Sequence, residues 1–295
     1  MVTIQIDGKD VAAKTCGLKE SLFLPCSEAW CVASYAIFGP ATVKTDTGSS
    51  KVCATRWELV GNNFIKTTFV PEKYIESLKK SFSPIKGVYD IKAILKKYGF
   101  QLAYIGTFPA KYIEIPKLKY TNLMDWLPTK VTSAGGVFMT MMIDGQILIV
   151  DMDFVYNKEP VVSIPGTAIS NVGSVFWSNY VHGKYNIIQH KDGEKYTNTL
   201  EIEKKFGIAT LEEITTNDKL AYQLELEAQN MYNRSKYTSV KTVMDTKGVS
   251  IPVSVGSCAD IMQLHPKSKD IKGVVTEVEA CQGSNELVTI SFPVL

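Results

Sequence analysis

The chain has 295 residues, 45% hydrophobic and 21% charged, which predicts a folded protein of two or three modules and excludes a disordered chain. Lys and Arg number 32 against 30 Asp and Glu, and no basic block stands out, so no nucleic-acid specificity or membrane-surface binding is indicated. No apolar run approaches the ~20 residues of a membrane helix, which excludes membrane insertion through a helix; residues 1–8 alternate like a strand, and we expect no signal peptide.

The first 70 residues predict short antiparallel strands separated by turns. Gly, Asn and Pro supply the turn chemistry at 39–40, 47–50 and 61–63. The expected strands are residues 2–6, 29–38, 51–60 and 64–70. Because only three residues separate the last two, they predict a hairpin.

Residues 85–151 predict a small α/β unit. A short helix over 71–81 precedes it, and a second helix over 88–98 has apolar residues at helical spacing and ends at Gly99. Strands at 100–105 and 111–115 follow, and Asn122 caps a third helix in which Pro128 comes too early for a long helix. Residues 137–143 and 146–151 form a hairpin through a type I′ turn at Asp144-Gly145.

From residue 160 onward strands dominate again, with one long helix predicted over 217–234. The expected strands are 161–164, 174–180, 185–190, 237–244, 251–255, 273–280 and 287–292. This order of elements predicts an α+β, mainly β fold. The predicted domains are an N-terminal β-rich domain over 1–84, a small α/β domain over 85–155 and a C-terminal domain over 156–295 with the long helix.

Catalytic and cofactor motifs are missing from the sequence. His182, His190 and His265 lack the spacing of metal ligands, and there is no phosphate-binding glycine loop and no Gly-x-Ser-x-Gly. Asp151 and Asp153 could hold a cation on one face of a strand end, although a solvated strand end is the favoured interpretation. We therefore expect no catalytic residue and no cofactor.

Six cysteines stand at 16, 26, 31, 53, 258 and 281, and no pair has Cys-x-x-Cys spacing. Reduced, buried thiols are the favoured interpretation. Four of the six, Cys16, Cys26, Cys31 and Cys53, lie within the first 53 residues, which leaves a metal or disulfide cluster open as the less favoured alternative. Nothing local supports Cys31 as a nucleophile with one of the histidines.

The order of elements from residue 72 onward resembles a known family. The segment 88–100 is an amphipathic helix ending in a glycine before a strand; it is followed by the extended 112–116, the helix near 122–127 and the hairpin ending at 144–151. A second match comprises 207–214, the predicted long helix and the strand at 272–279. Together these segments resemble the central hub proteins of phage-type contractile-tail baseplates, the late control protein D type.

The resemblance implies a structural protein with two β-barrel-like, tail-tube-like domains and a small α/β insertion between them. In such a hub a homotrimer forms a ring that adapts a hexameric tail tube to a trimeric central spike. The implied partners are copies of the chain, the spike, a tube or tube-initiator protein and neighbouring baseplate wedge proteins. The implied location is the baseplate of a virion tail, assembled in the host cytoplasm.

Three alternatives remain open. The first is a distal tail or tail-tip protein of a non-contractile tail. The second is a cell-wall hydrolase, for which Glu28, Glu58 or Glu114 would supply the general acid, although none lies in a supporting motif. The third is a glycan-binding module that uses the chain's 14 tyrosines.

Overall fold

The chain is described as a computed structural model. The residues described are 2–82, 87–106, 112–115, 121–133, 137–176, 184–191, 194–201, 210–216, 237–244, 253–262, 270–281 and 286–293. The predicted helix over 217–234 lies outside them.

The N-terminal part is a series of strands followed by one helix. The elements are β1 (Thr3–Ile6), β2 (Lys9–Asp10), β3 (Thr15–Ser21), β4 (Glu28–Ala33), β5 (Pro40–Thr45), β6 (Gly48–Val60), β7 (Phe64–Pro71) and α1 (Glu72–Leu78). The hairpin predicted for 51–70 is confirmed as β6 and β7, with Gly61 at a φ of +66° in the connection. The strand predicted over 29–38 ends at Ala33.

The middle part mixes short strands and helices, as predicted. The elements are β8 (Ser81–Phe82), β9 (Gly87–Asp90), α2 (Ile91–Lys97), β10 (Leu102–Ile105), β11 (Tyr112–Ile115), β12 (Thr121–Asn122), α3 (Leu123–Ser133), β13 (Val137–Met141), β14 (Ile147–Asp151) and α4 (Met152–Tyr156). Strand β14 pairs in parallel with β10 and antiparallel with β13. A buried cluster that includes Leu95, Leu127 and Ile147 packs the helices onto this small sheet.

Side-chain caps decide where these helices begin. The Asp90 carboxylate accepts a hydrogen bond from Lys92 N at 2.7 Å, so α2 starts at Ile91 and not at the predicted residue 88. The predicted cap of α3 is confirmed, because Asn122 Oδ1 accepts from Met124 N at 2.8 Å. That helix continues past Pro128, since Leu127 and Val131 are both buried in the core and outweigh the lost backbone bond.

The predicted type I′ turn between β13 and β14 is wrong. Type I′ requires positive φ at both central residues, whereas only Gly145 has one, at +80°. Gly145 N donates to Met142 O at 2.8 Å, and Asp144 Oδ1 accepts from Gln146 N at 2.8 Å. The carboxylate therefore holds a longer loop that ends in a left-handed glycine.

The C-terminal part is built of strands. The elements are β15 (Val162–Pro165), a 3-10 turn (Gly166–Ala168), β16 (Ile169–Phe176), β17 (Lys184–Lys191), β18 (Glu194–Glu201), β19 (Thr210–Thr216), β20 (Tyr237–Met244), β21 (Cys258–Met262), β22 (Ile271–Cys281) and β23 (Glu286–Pro293). The strand predicted over 251–255 is wrong for its described residues 253–255, which precede β21 in a non-strand segment. The strands predicted over 273–280 and 287–292 are confirmed as β22 and β23, which pair in an antiparallel hairpin.

One 13-stranded sheet joins the two ends of the chain. Its order is β16-β20-β23-β22-β3-β4-β7-β6-β5-β1-β2, with β21 on β22 and β15 on β21. The mainly β, α+β class is confirmed, but the described strands leave this sheet open instead of closing it into barrels. Antiparallel pairing of β3 with β22 brings residues 15–21 beside residues 271–281. The domain boundaries 1–84, 85–155 and 156–295 stay predictions.

Glu20 lies on β3, where that strand meets β22, and it supports a first prediction. Burial raises the pKa of its carboxyl, and the nearby Asp144 carboxylate raises it further. We expect Glu20→Gln to increase the free energy of unfolding at pH 7 by up to about 1 kcal/mol, the size of interactions between partly exposed charges. Urea denaturation from pH 4 to pH 8 measures this.

The pH dependence follows from the raised pKa. Between the unfolded-state pKa and the higher folded-state pKa, the unfolded state has lost the proton that the folded state keeps, so wild-type stability falls as pH rises through this window. The advantage of Glu20→Gln should be largest above the folded pKa and vanish below the unfolded one. Glu279→Gln on β22 controls for the change in net charge; an advantage for Glu20→Gln that does not depend on pH would contradict the explanation.

Candidate assembly interface

The outer half of β6 is an edge strand. Strand β5 pairs with β6 only from Gly48 to Cys53, and a bulge follows between Ala54 and Arg56. Beyond it, residues 56–60 pair with β7 on one side, and no described strand pairs with them on the other. An unpaired strand edge is a template for another chain, so proteins cover it, charge it or use it in assembly.

One face of this edge is apolar and open to solvent. Trp57 and Leu59 lie opposite Thr67 and Ile65 of β7, and their side chains are 55% and 74% exposed. Alternation along β7 places them on the same face as Phe69, which is fully buried in the N-terminal core. The face that forms the core therefore continues past it as exposed apolar surface.

The loop over residues 34–39 carries a third exposed apolar side chain and is bonded to the same two strands. Ile37 N donates to Thr67 Oγ1 at 3.3 Å, and Gly39 O accepts from Ala54 N at 2.9 Å. These two bonds hold Phe38 at the base of the outer half of β6, with its side chain 72% exposed. Phe38, Trp57 and Leu59 are together named the apolar patch; clustered exposed apolar side chains of this kind mark interaction surfaces.

The opposite face of the same strands is charged. Glu58 lies across from Lys66, with 3.7 Å between carboxylate and ammonium, and the Lys66 ammonium also lies 4.9 Å from the centre of the Trp30 ring. Arg56 is exposed on this side too. One face of these strands is therefore charged, whereas the other exposes apolar side chains to solvent.

The four N-terminal cysteines do not form one cluster: two face each other, and the other two lie elsewhere. Cys16 and Cys31 are direct cross-strand partners on β3 and β4 within the N-terminal core. Cys26 lies in the core of the small α/β part, where burial, with the Glu28 carboxylate adding to it, raises the pKa of its thiol to about 12. Cys53 lies on β6, opposite Val70, and burial raises the pKa of its thiol. All four are free thiols.

Asp151 has a structural role that the sequence analysis did not anticipate. Its Oδ1 accepts a hydrogen bond from Phe154 N at 3.0 Å, so it caps α4 and is nearly buried. Asp153 lies in the first turn of that helix, where a carboxylate interacts favourably with the helix dipole. The pair therefore begins a helix and is not a solvated strand end.

The other residues considered for catalysis belong to different strands. Glu28 is half-buried on β4, Glu58 is held by Lys66, and Glu114 belongs to β11, where its backbone lies opposite Val88. His190 belongs to β17. His182 and His265 lie outside the described residues.

Within the described ranges, no group of three or more His, Cys, Asp or Glu side chains is placed to hold a metal ion. Of the helices that the structure describes, none is long and apolar enough to cross a membrane.

The sequence matches no family model and no curated protein. The fold is similar to that of the 43 kDa tail protein of prophage MuSo2 from Shewanella oneidensis, with a TM-score of 0.60 and 13% identity over 98% of this chain and 97% of that one. It is similar to a tail protein from Neisseria meningitidis MC58, with a TM-score of 0.59 and 10% identity over 99% and 96% of the two chains. Prophage tail protein gp18 from Listeria monocytogenes EGD-e aligns at a TM-score of 0.54 and 10% identity over 98% and 94%. The chain thus has the fold of prophage tail proteins along nearly its whole length.

Proposed function

We propose that this chain is a structural component of a phage-type tail, and within it the baseplate hub, a homotrimeric ring that adapts a hexameric tail tube to a trimeric spike. The observation that carries the proposal is the fold, which aligns with prophage tail proteins over at least 94% of each neighbour's length. Because these alignments include nearly all of the chain, the similarity extends over the whole subunit and not over a single domain of it.

The apolar patch supports an assembly role independently of the fold comparison. Trp57 and Leu59 project from an edge strand whose backbone has an unpaired side among the described strands. A neighbouring subunit would cover the apolar side chains and satisfy the strand edge at the same time. A closed ring of identical subunits presents this surface once per chain, which suits a trimer.

The further partners of the proposal follow from the role of an adaptor. The ring would bind the spike on one side and a tube or tube-initiator protein on the other, with baseplate wedge proteins around it. The particle's tail is the proposed location, after assembly in the host cytoplasm. The function resides in these interfaces, and no enzymatic step is part of it.

Oligomeric state and partner choice test this proposal. We expect native mass spectrometry of the purified chain to show trimers, and co-expression with the spike protein of the same particle to yield a stable complex. A monodisperse monomer that binds neither the spike nor the tube protein would contradict the hub. Trimers that bind the tube but no spike would favour a distal tail or tail-tip protein instead.

A further inference from the structure

We propose that Cys16 and Cys31 form a dithiol site, which a small disulfide of the glutathione class oxidises to a cross-strand disulfide between β3 and β4. The two residues are direct partners in the antiparallel register, flanked by Thr15 opposite Val32 and Gly17 opposite Trp30. Both side chains enter the same buried cluster. Each thiol therefore has the other within reach before any oxidation.

The backbone geometry at this pair suits a disulfide. Leu22 N donates to Thr276 O at 2.9 Å, so the backbone of Leu22 points towards β22. Since backbone groups alternate in direction along a strand, the backbone of Cys16 also points towards β22 and away from Cys31. The pair is thus of the non-hydrogen-bonded type, in which Cα atoms are about 4.5 Å apart and side chains are closest. Disulfides span Cα distances of about 4.4–6.8 Å.

The two thiols are already polarised toward each other. They share a side-chain hydrogen bond, which lowers the pKa of the Cys16 thiol and raises that of the Cys31 thiol. Either thiol can attack first, and the other is then the resolving thiol. The remaining N-terminal cysteines do not compete, because Cys26 lies in a different core and Cys53 is on β6, separated from β4 by β7.

The exchange balances with glutathione disulfide as the oxidant. When Cys16 attacks first, its thiolate reacts with one sulfur of that disulfide and forms a mixed disulfide, which releases one glutathione thiolate. Cys31 then loses its proton and attacks the Cys16 sulfur, which releases the second glutathione thiolate. The two cysteines lose two electrons and two protons, and the oxidant becomes two glutathione molecules. Because Cys16 is 3% exposed and Cys31 0%, the exchange takes place during folding or in transient openings of these strands.

The position of the site gives the disulfide a structural effect. Strand β3 joins the N-terminal strands to the C-terminal ones, since it pairs with β4 on one side and with β22 on the other. A covalent link from β3 to β4 would tie β3, and the C-terminal strands paired with it through β22, to the N-terminal strands that begin with β4. Oxidised protein should therefore melt several degrees above reduced protein.

Peptide mapping tests the proposal. The full-length chain is refolded in a glutathione buffer poised at −180 mV, alkylated and digested with trypsin, which places Cys16 in peptide 15–19 and both Cys26 and Cys31 in peptide 20–44. We expect these two peptides to be disulfide-linked in wild type and equally in Cys26→Ser. In Cys31→Ser the link and the melting difference between oxidised and reduced protein should both disappear.

The same experiment also gives the results that would contradict the proposed disulfide. Loss of the link in Cys26→Ser would assign it to Cys26 and overturn the proposal. So would full alkylation of Cys16 after oxidising refolding of the wild-type chain, a measurement that does not depend on any variant folding. Because the proposal concerns only the thiols of one chain, its failure would leave the tail role untouched.

Discussion

Replacing both Trp57 and Leu59 by threonine is expected to convert the self-assembled protein to monomers. The two side chains carry most of the exposed apolar surface on the outer half of β6, and truncating aromatic and apolar anchors at the centre of an interface costs about 2 kcal/mol or more each. Self-association should weaken at least about 100-fold. Sedimentation velocity over a concentration series measures this directly.

Threonine is chosen because it keeps the strand preference of the segment, so the variant should fold like wild type. The matched control is the double change Arg56→Thr and Val60→Thr on the charged face of the same strand, which should leave assembly intact. Circular dichroism verifies the fold of both variants. If the Trp57 and Leu59 variant assembles with wild-type affinity, the apolar patch is not the interface.

Gly17→Ala is expected to lower the free energy of unfolding by about 1–3 kcal/mol, the cost of overpacking a closely packed site. A Cβ atom built on Gly17 would lie 2.4 Å from Trp30 Cζ2 and 2.5 Å from Cε2, far inside van der Waals contact. The Lys66 ammonium lies 4.9 Å from the centre of this ring, so a shift of the ring toward it would also displace the lysine. Urea denaturation of the full chain gives the difference.

A double-mutant cycle separates this clash from a general preference for glycine at the site. Trp30→Leu removes the ring, so Gly17→Ala should cost much less in that background than in wild type. An equal cost in both backgrounds would show that the ring is not the cause. Gly8→Ala is a useful comparison, because no heavy atom lies within 4 Å of its added Cβ and its cost comes only from a φ of +77°.

The two predictions address opposite faces of the same strands. Trp30 and Lys66 cover one face, whereas Trp57 and Leu59 leave the other open. Gly17→Ala should therefore destabilise the subunit itself, while the threonine variant should affect only contacts between subunits. Measuring both properties for both variants distinguishes stability from assembly.

Local sequence signals were sufficient where a single residue type imposes the geometry. The β6–β7 hairpin, the Asn122 cap and the end of α2 just before Gly99, whose φ is +82°, each depend on residues within a few positions of one another. Two helix boundaries were misplaced because a capping carboxylate was not recognised. Asp90 and Asp151 were each assigned to a neighbouring element, although a carboxylate directly before a helix is also a cap.

Strand β3 was missed because nothing in its own sequence alternates cleanly. Lys19 and Glu20 interrupt the apolar pattern, and Gly17 disfavours an isolated strand. Its stability comes from partners on both sides, one of them, β22, more than 250 residues later in the chain. Pairing over such a separation leaves no trace in a local window.

The candidate interface likewise depends on strand pairing that a local window of sequence does not reveal. The sequence predicted a strand over 51–60, but not which part of it would lie beyond its neighbours and meet solvent. Strand β5 begins at Pro40, opposite Cys53, so it covers β6 no further than Cys53 and leaves Trp57 and Leu59 beyond the core. The pairing of Cys16 with Cys31 depended likewise on the register between β3 and β4.

The sequence by itself determined the mainly β class, the β6–β7 hairpin and the Asn122 cap, because turn and cap residues act through bonds to their near neighbours. The tertiary structure alone decided that the two ends of the chain share one open sheet, and that one apolar face runs past the core into solvent. Both depend on contacts between residues far apart in the chain, whose free energy appears only once the strands have met.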